Sequence, residues 1–174
     1  MYQFGDDAVT ITDRDLYDAA GVTKTRFYRN FQNLNIVFYW CKYYIRVDFL
    51  AVAKIVKEKK EQPFTSYAEW IKPEYVVQQL LFKILGRQTL VQFAVRKFNA
   101  SFWKDALTPV LSQFLQFPGY VTEEEKGAMI WRFAGEFEVE IRLWSEKNFD
   151  ASQYGNVRKA LIDAFARRFG NYYI

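Results

Sequence analysis

Apolar residues recur along this chain at helical spacings, and Gly, Pro, Thr and Asn interrupt the pattern at short intervals. Thr12 followed three residues later by Asp15 has the pattern of a helix N-terminus. The segment runs on to Ala20, where Gly21 supplies a left-handed residue to end it. Thr23 is placed to cap a short second helix, Lys24 to about Asn30, closed by Phe31. A third, much longer helix is predicted over about Asn33 to Lys60. Its apolar residues Ile36, Val37, Trp40, Tyr44, Val47, Ala51 and Ile55 are separated by one, three or four positions. The run Lys57-Glu58-Lys59-Lys60-Glu61 reads as a solvated helix end whose lysines complement the helix dipole, and Pro63 prevents continuation.

Ser66 to Trp70 predicts a turn of helix. Pro73 suits the first position of the next helix, about Glu74 to Leu85, and after a break at Gly86 the pattern resumes from Gln88 to about Lys97. Ser101 to Phe117 follows, with Pro109 predicting a kink or restart, and Pro118-Gly119 is a turn. Thr122 with Glu125 repeats the capping pattern. Three glutamates in that first turn suit the positive end of a helix dipole better than they suit a paired-carboxylate site. Ile130, Ala134, Phe137, Ile141 and Trp144 then step by four, three, four and three, the seam of a helix packed along a partner helix. Asp150 with Gln153 opens a last helix carrying two stripes, Val157-Leu161-Ala164 and Ile162-Phe165-Phe169, which implies two packing partners, one of them outside the subunit. No strand-like alternation competes with these patterns, so the expected fold class is all-α.

Composition narrows the chemistry. The chain has 174 residues, 51% of them apolar and 25% charged, enough for a substantial core. The longest uninterrupted apolar run, Ile36–Cys41, is far short of the roughly 20 residues of a membrane span. A chain with no signal-peptide pattern and one cysteine, Cys41, is expected in the cytoplasm. Histidine is absent, which removes Ser-His-Asp, Cys-His and His-metal chemistry. No glycine-rich phosphate loop and no metal-ligand cluster replaces them, so an enzyme is the least supported class and no cofactor is expected. Aromatics at 20% mean either a ring-packed core or a cavity for an apolar or aromatic molecule. The net charge of +4 permits a nucleic-acid partner without requiring one, so its location decides.

Charge is distributed unevenly between the first two helices. The first holds Asp13, Asp15 and Asp18 against one base, Arg14, whereas the second holds Lys24, Arg26 and Arg29 and no acid. Two short helices joined by a glycine turn, the second basic, form a helix-turn-helix whose second helix can approach phosphates and base edges. Ala19, Ala20, Val22 and Phe27 are small or apolar, as a crossing of two short helices demands.

The stretch from Ile11 to Phe31 resembles the DNA-binding signature of TetR-family transcriptional regulators. Ala19-Ala20-Gly21-Val22, then Thr23-Lys24, then Phe27-Tyr28-x-x-Phe31 carry the similarity. The remainder is similar in layout only, with a long linking helix, several middle helices and a final pair. The resemblance implies a DNA-binding domain over residues 1–32 and a helical effector-binding and dimerisation domain over 33–174. Residue by residue, it puts Thr12 on phosphate and Thr23, Lys24, Thr25 and Arg26 near base edges. Tyr28 and Arg29 fall at phosphates or groove walls, and Asn30 stands where the family often has histidine. Two positions depart from the family: Leu34 replaces a usual lysine, and only Met1 to Phe4 precede Gly5 where the family has a full helix. Either the start of the sequence is trimmed or the DNA-binding unit has a truncated first helix.

The implied function is a homodimeric repressor that binds palindromic double-stranded DNA and responds to a small apolar or aromatic effector. The middle of the chain, about residues 35 to 120, would hold the effector, with Trp40, Tyr44, Phe82, Phe93 and Trp103 as candidate ligand-binding residues, each of which an ordinary core would also use. Ile130, Ala134, Phe137, Ile141, Trp144, Val157, Leu161 and Ala164 are the expected dimer interface. Cys41 has no base at helical spacing to activate it and is expected to be inert. The alternative is a helical dimeric ligand- or protein-binding module without DNA binding, which the truncated first helix and Leu34 favour and the acid-free second helix opposes.

Overall fold

A computed structural model describes residues 14, 17, 18, 21–30, 34–61 and 72–170. Besides the helical residues 14, 17 and 18, seven α-helices and one 3₁₀ turn lie among these residues: α1 (Lys24–Asn30), α2 (Leu34–Glu61), α3 (Pro73–Leu85), α4 (Gln88–Lys97), α5 (Ala100–Phe114), α6 (Glu123–Glu146) and α7 (Tyr154–Phe169), the 3₁₀ turn Ala151–Gln153 preceding α7. The fold is all-α, as the periodicity predicts. The expected closure at Phe31, the turn at Ser66–Trp70 and the stop at Pro63 lie outside the described residues.

The chain divides into two compact units, Met1–Cys41 and Lys42–Ile174. That division falls inside α2, later than the expected boundary after residue 32. No helix of the described residues is long and apolar enough to cross a membrane.

Within residues 42–174 the core is built of rings. Phe49 of α2 meets Trp103 of α5 at 6.4 Å and Phe137 of α6 at 6.0 Å between centroids, and Trp103 meets Phe137 at 5.7 Å. Helices α6 and α7 run antiparallel, because Phe133 contacts Phe165 and Phe169 while Trp144, further along α6, contacts Tyr154 at the start of α7. Glu136 clamps the pair, accepting from Arg167 at 3.1 Å and from Arg168 Nε at 2.9 Å. Phe114 brings α5 against Phe165 of α7 at 5.3 Å. Outside this ring stack, Arg87 ties the α3–α4 turn to Asp48 of α2 at 2.9 Å, and Gln92 of α4 donates to Ser145 O and Asn148 Oδ1, both at 3.3 Å.

Local chemistry accounts for most helix ends. Pro73 occupies the first turn of α3, where its missing N–H has no helical partner to lose. At α6 the capping box is complete: Glu125 N donates to Thr122 Oγ1 at 3.2 Å and Thr122 N donates to Glu125 Oε2 at 2.8 Å. The Thr122 backbone N–H, followed by the Thr122 hydroxyl donating to the same Oε2 at 2.9 Å, holds the Glu125 carboxyl below its ordinary value. The other end of α6 is a Schellman motif without glycine. Phe149 N donates to Trp144 O and Asn148 N to Ser145 O, each at 3.0 Å, with φ +52° at Asn148 and +55° at Phe149. Left-handed backbone is costly for phenylalanine, by roughly 1–2 kcal/mol. Burial of its ring on Trp144, at 5.2 Å, offsets that strain with the apolar contact such motifs favour.

Three expected elements differ. Asn99 caps α5, its side chain accepting from Phe102 N, so the helix starts at Ala100. It ends at Phe114 rather than Phe117, because Leu115 adopts extended backbone. Pro109 sits within one continuous helix rather than at a restart. Asp150 caps the 3₁₀ turn by accepting from Ser152 N, which lowers its carboxyl pKa, and α7 proper begins at Tyr154.

The expected dimer seam is corrected by burial. Ile130, Ala134, Phe137, Ile141 and Trp144 on α6, with Val157, Leu161 and Ala164 on α7, are all buried within this single chain. Phe49, Trp103, Phe165 and Phe169 already cover that side of α6. A face covered by its own subunit offers nothing to a second copy. The other stripe of α7 also turns inward at Phe165 and Phe169, so it needs no outside partner.

Candidate functional site

The candidate nucleic-acid surface lies in the unit Met1–Cys41. Residues 14, 17 and 18 are helical, and Val22 N donates to Tyr17 O at 3.0 Å while Gly21 N donates to Asp18 O at 3.1 Å. Those paired bonds are the Schellman helix end again, here with glycine at φ +62°. Thr23 then starts α1: its backbone oxygen accepts from Phe27 N at 2.9 Å and its hydroxyl from Arg26 N at 3.3 Å. Two residues, Gly21 and Val22, thus separate a terminated helix from a capped one, and Gly21 makes the turn tight.

Phe27 is the residue of α1 that faces inward, 4% exposed, with its ring 6.0 Å from that of Tyr17. Helical geometry then assigns every other side chain. Thr25 and Arg29, four positions apart, lie opposite Phe27; Arg26 and Tyr28 flank them, and Lys24 stands at the start. All five are exposed. Lys24, Arg26 and Arg29 form no ion pair with any described residue, whereas Arg14 engages Asp18 at 3.4 Å. Exposed cations on a short helix free of acid create a local positive potential that attracts phosphate. Asn30 Nδ2 donates to Arg26 O at 3.0 Å, so one of its amide hydrogens closes the helix end. Thr23 and Asn30 therefore both serve the helix itself, with the Thr23 hydroxyl hydrogen and the Asn30 amide oxygen left for a ligand. Thr12 lies outside the described residues.

Within the unit Lys42–Ile174 the aromatic candidates are not brought to one place. Trp40 belongs to the unit Met1–Cys41 and is exposed. Tyr44 is exposed under the Arg87 guanidinium, 5.4 Å above its ring. Phe82 is exposed on α3, Phe93 is half-buried against Phe98 at 6.1 Å, and Trp103 is fully enclosed by Phe49, Phe102 and Phe137. An exposed Phe82 and an enclosed Trp103 cannot line the same internal space. Ring type drew attention to these residues, but ring type does not fix direction, and four of the five sit on different helices. Cys41 is buried, and desolvation pushes its thiol up to about 11, which keeps it protonated and unreactive.

Sequence periodicity passes over the outward faces. Tyr43, Val47 and Leu50 form an exposed stripe on α2, and Trp131, Val139 and Leu143 form another on α6. On α6 a stronger inward stripe masked the outer one; on α2 the periodic set itself included Trp40, Tyr44 and Val47, which are exposed, whereas Ile45, Phe49, Val52 and Val56 are buried. Compared with protein-family models, with curated proteins and with solved structures, the chain matches none.

Proposed function

We propose that this chain is a DNA-binding transcriptional regulator acting as a homodimer, of the ligand-responsive repressor type that the TetR-family resemblance implies. One observation carries the reading: α1 presents Arg26 and Arg29 outward, with Lys24 exposed at its start and no acid among its residues, while Phe27 anchors the inward side. A recognition helix needs that division, since phosphate contacts position the protein and base-edge contacts specify the sequence. Arg26 is assigned a bidentate contact to guanine and Arg29 a phosphate contact. Two such helices about 34–36 Å apart would read a palindromic operator, and an effector acts by changing that spacing.

Titration of a duplex from the DNA upstream of the coding region, at several salt concentrations, tests the reading. Arg26→Ala should weaken binding and relax sequence preference, by about 1–3 kcal/mol of discrimination. Arg29→Ala should weaken all sequences alike and reduce the salt slope by about one unit per contact removed. Absence of binding at low salt, or indifference to both substitutions, would reject DNA binding and leave the non-DNA-binding helical module.

A further inference from the structure

Helix α6 carries a second pattern on the side facing away from the core. Arg132, Gly135, Val139, Leu143 and Glu146 are separated by three, four, four and three residues, and this order is the same read from either end. They occupy one arc of the helix, opposite the buried Phe137, Ile141 and Trp144. Val139 is 52% and Leu143 51% exposed, and neither Arg132 nor Glu146 has an ion-pair partner among the described residues. A Cβ built on Gly135 would meet nothing within 4 Å, so the surface is open there. Trp131, beside this arc, adds a third exposed apolar side chain.

A pattern symmetric about its middle residue complements its own reversed copy. Antiparallel pairing about a two-fold axis at Val139 places Arg132 of each copy opposite Glu146 of the other. Leu143 then falls opposite Gly135, and Val139 opposite Val139. The opposed charges attract, and the leucine enters the space that glycine leaves, which is how an isologous contact satisfies both partners at once. From Arg132 to Glu146 the face runs about 21 Å along the helix.

We propose that this outer face of α6 is the surface on which a second copy of the chain docks. The proposal rests on the homodimer in the reading above and replaces the inward seam with a surface the subunit leaves open. Charge complementarity names the occupant: a reversed α6 sets each Arg132 against a Glu146 and each Leu143 against a Gly135.

Sedimentation equilibrium of the full chain at micromolar concentration tests it. The wild type should weigh twice 20.7 kDa. Arg132→Glu and Glu146→Arg, each placing like charges opposite one another, should each weaken the dimer by about tenfold or more. The doubly exchanged chain should regain most of the wild-type affinity, because the exchange re-pairs the charges with reversed sign. Val139→Asp should give a monomer with an unchanged helical circular-dichroism spectrum. A wild-type monomer would overturn the proposal, as would a dimer indifferent to all four variants. The DNA titration run in parallel keeps the two readings apart. A dimer indifferent to α6 that still binds DNA rejects this face alone. A dimer sensitive to α6 that binds no DNA upholds this face and rejects the regulator.

Discussion

Replacing Trp103 and Trp144 by phenylalanine, one at a time, separates packing from hydrogen bonding within one core. Both side chains are fully buried, and both lie in the unit Lys42–Ile174. Their indole N–H groups differ. Trp144 Nε1 donates to Asp150 O at 3.0 Å, whereas Trp103 Nε1, walled in by rings, has no hydrogen-bond partner among the described residues. Each substitution removes the same atoms, so the transfer and cavity losses are alike, on the order of 1–2 kcal/mol. At Trp144 the lost hydrogen bond adds about 0.5–1.5 kcal/mol. The abandoned carbonyl keeps a partner in Gln153 N, so no further desolvation cost follows. At Trp103 the change works the other way, because removing a buried unsatisfied donor relieves about 1–3 kcal/mol.

Trp103→Phe is therefore expected to be nearly neutral, and Trp144→Phe to be destabilising by about 1.5–3.5 kcal/mol. Urea unfolding followed by far-ultraviolet circular dichroism reads both, with the midpoint shifted and the slope unchanged. Using two tryptophans of one core cancels errors in the cavity term, which is the least transferable part. Equal losses in the two variants would refute the reasoning, since they would mean that the Trp103 N–H is satisfied in solution.

Three further outcomes follow from local chemistry. Gly21→Ala should destabilise the chain by roughly 1 kcal/mol or more, wholly through its φ of +62°, because an added Cβ would meet nothing within 4 Å; a neutral result in urea unfolding would refute the strain argument. Thr122→Ala should cost about 0.5–2 kcal/mol at neutral pH. Glu125 supplies the pH dependence: its carboxyl is held below the ordinary 4.5, chiefly by the Thr122 N–H, so its contribution is complete above that value and disappears as pH falls through the depressed one. The stability gap between wild type and Glu125→Gln should accordingly close in acid; a gap that stays constant down to pH 2 would refute it.

Helix boundaries were legible wherever one or two residues decide them. Thr122 with Glu125, Pro73 before α3, Gly21 after the first motif helix and Thr23 before α1 each act through bonds to backbone groups within six residues, so no tertiary information is needed. The end of α5 was not legible in the same way. Gln116 and Phe117 can extend a helix, and nothing local forbids it, but Leu115 turns to extended backbone and is buried. Pro109 left open a kink or a restart, and the restart does not occur: proline removes one hydrogen bond, and the buried neighbours Ala106, Leu107, Val110 and Leu111 keep the helix continuous through it.

The seam on α6 shows why a binding surface is harder to read than a helix. Ile130, Ala134, Phe137, Ile141 and Trp144 announce that one side of the helix is covered, but a spacing carries no information about which chain covers it. Here Phe49, Trp103, Phe165 and Phe169 answer from the same subunit. Once that side is accounted for, Val139 and Leu143 stand out, because their exposure has no counterpart inside the chain. The same elimination works on α1, where Phe27 claims the inward side and leaves Thr25, Arg26 and Arg29 to solvent. On both helices the residues free to meet a partner are those the core does not use, and Arg132, Glu146 and Arg26 are the charges whose reversal or removal tells whether a partner is met.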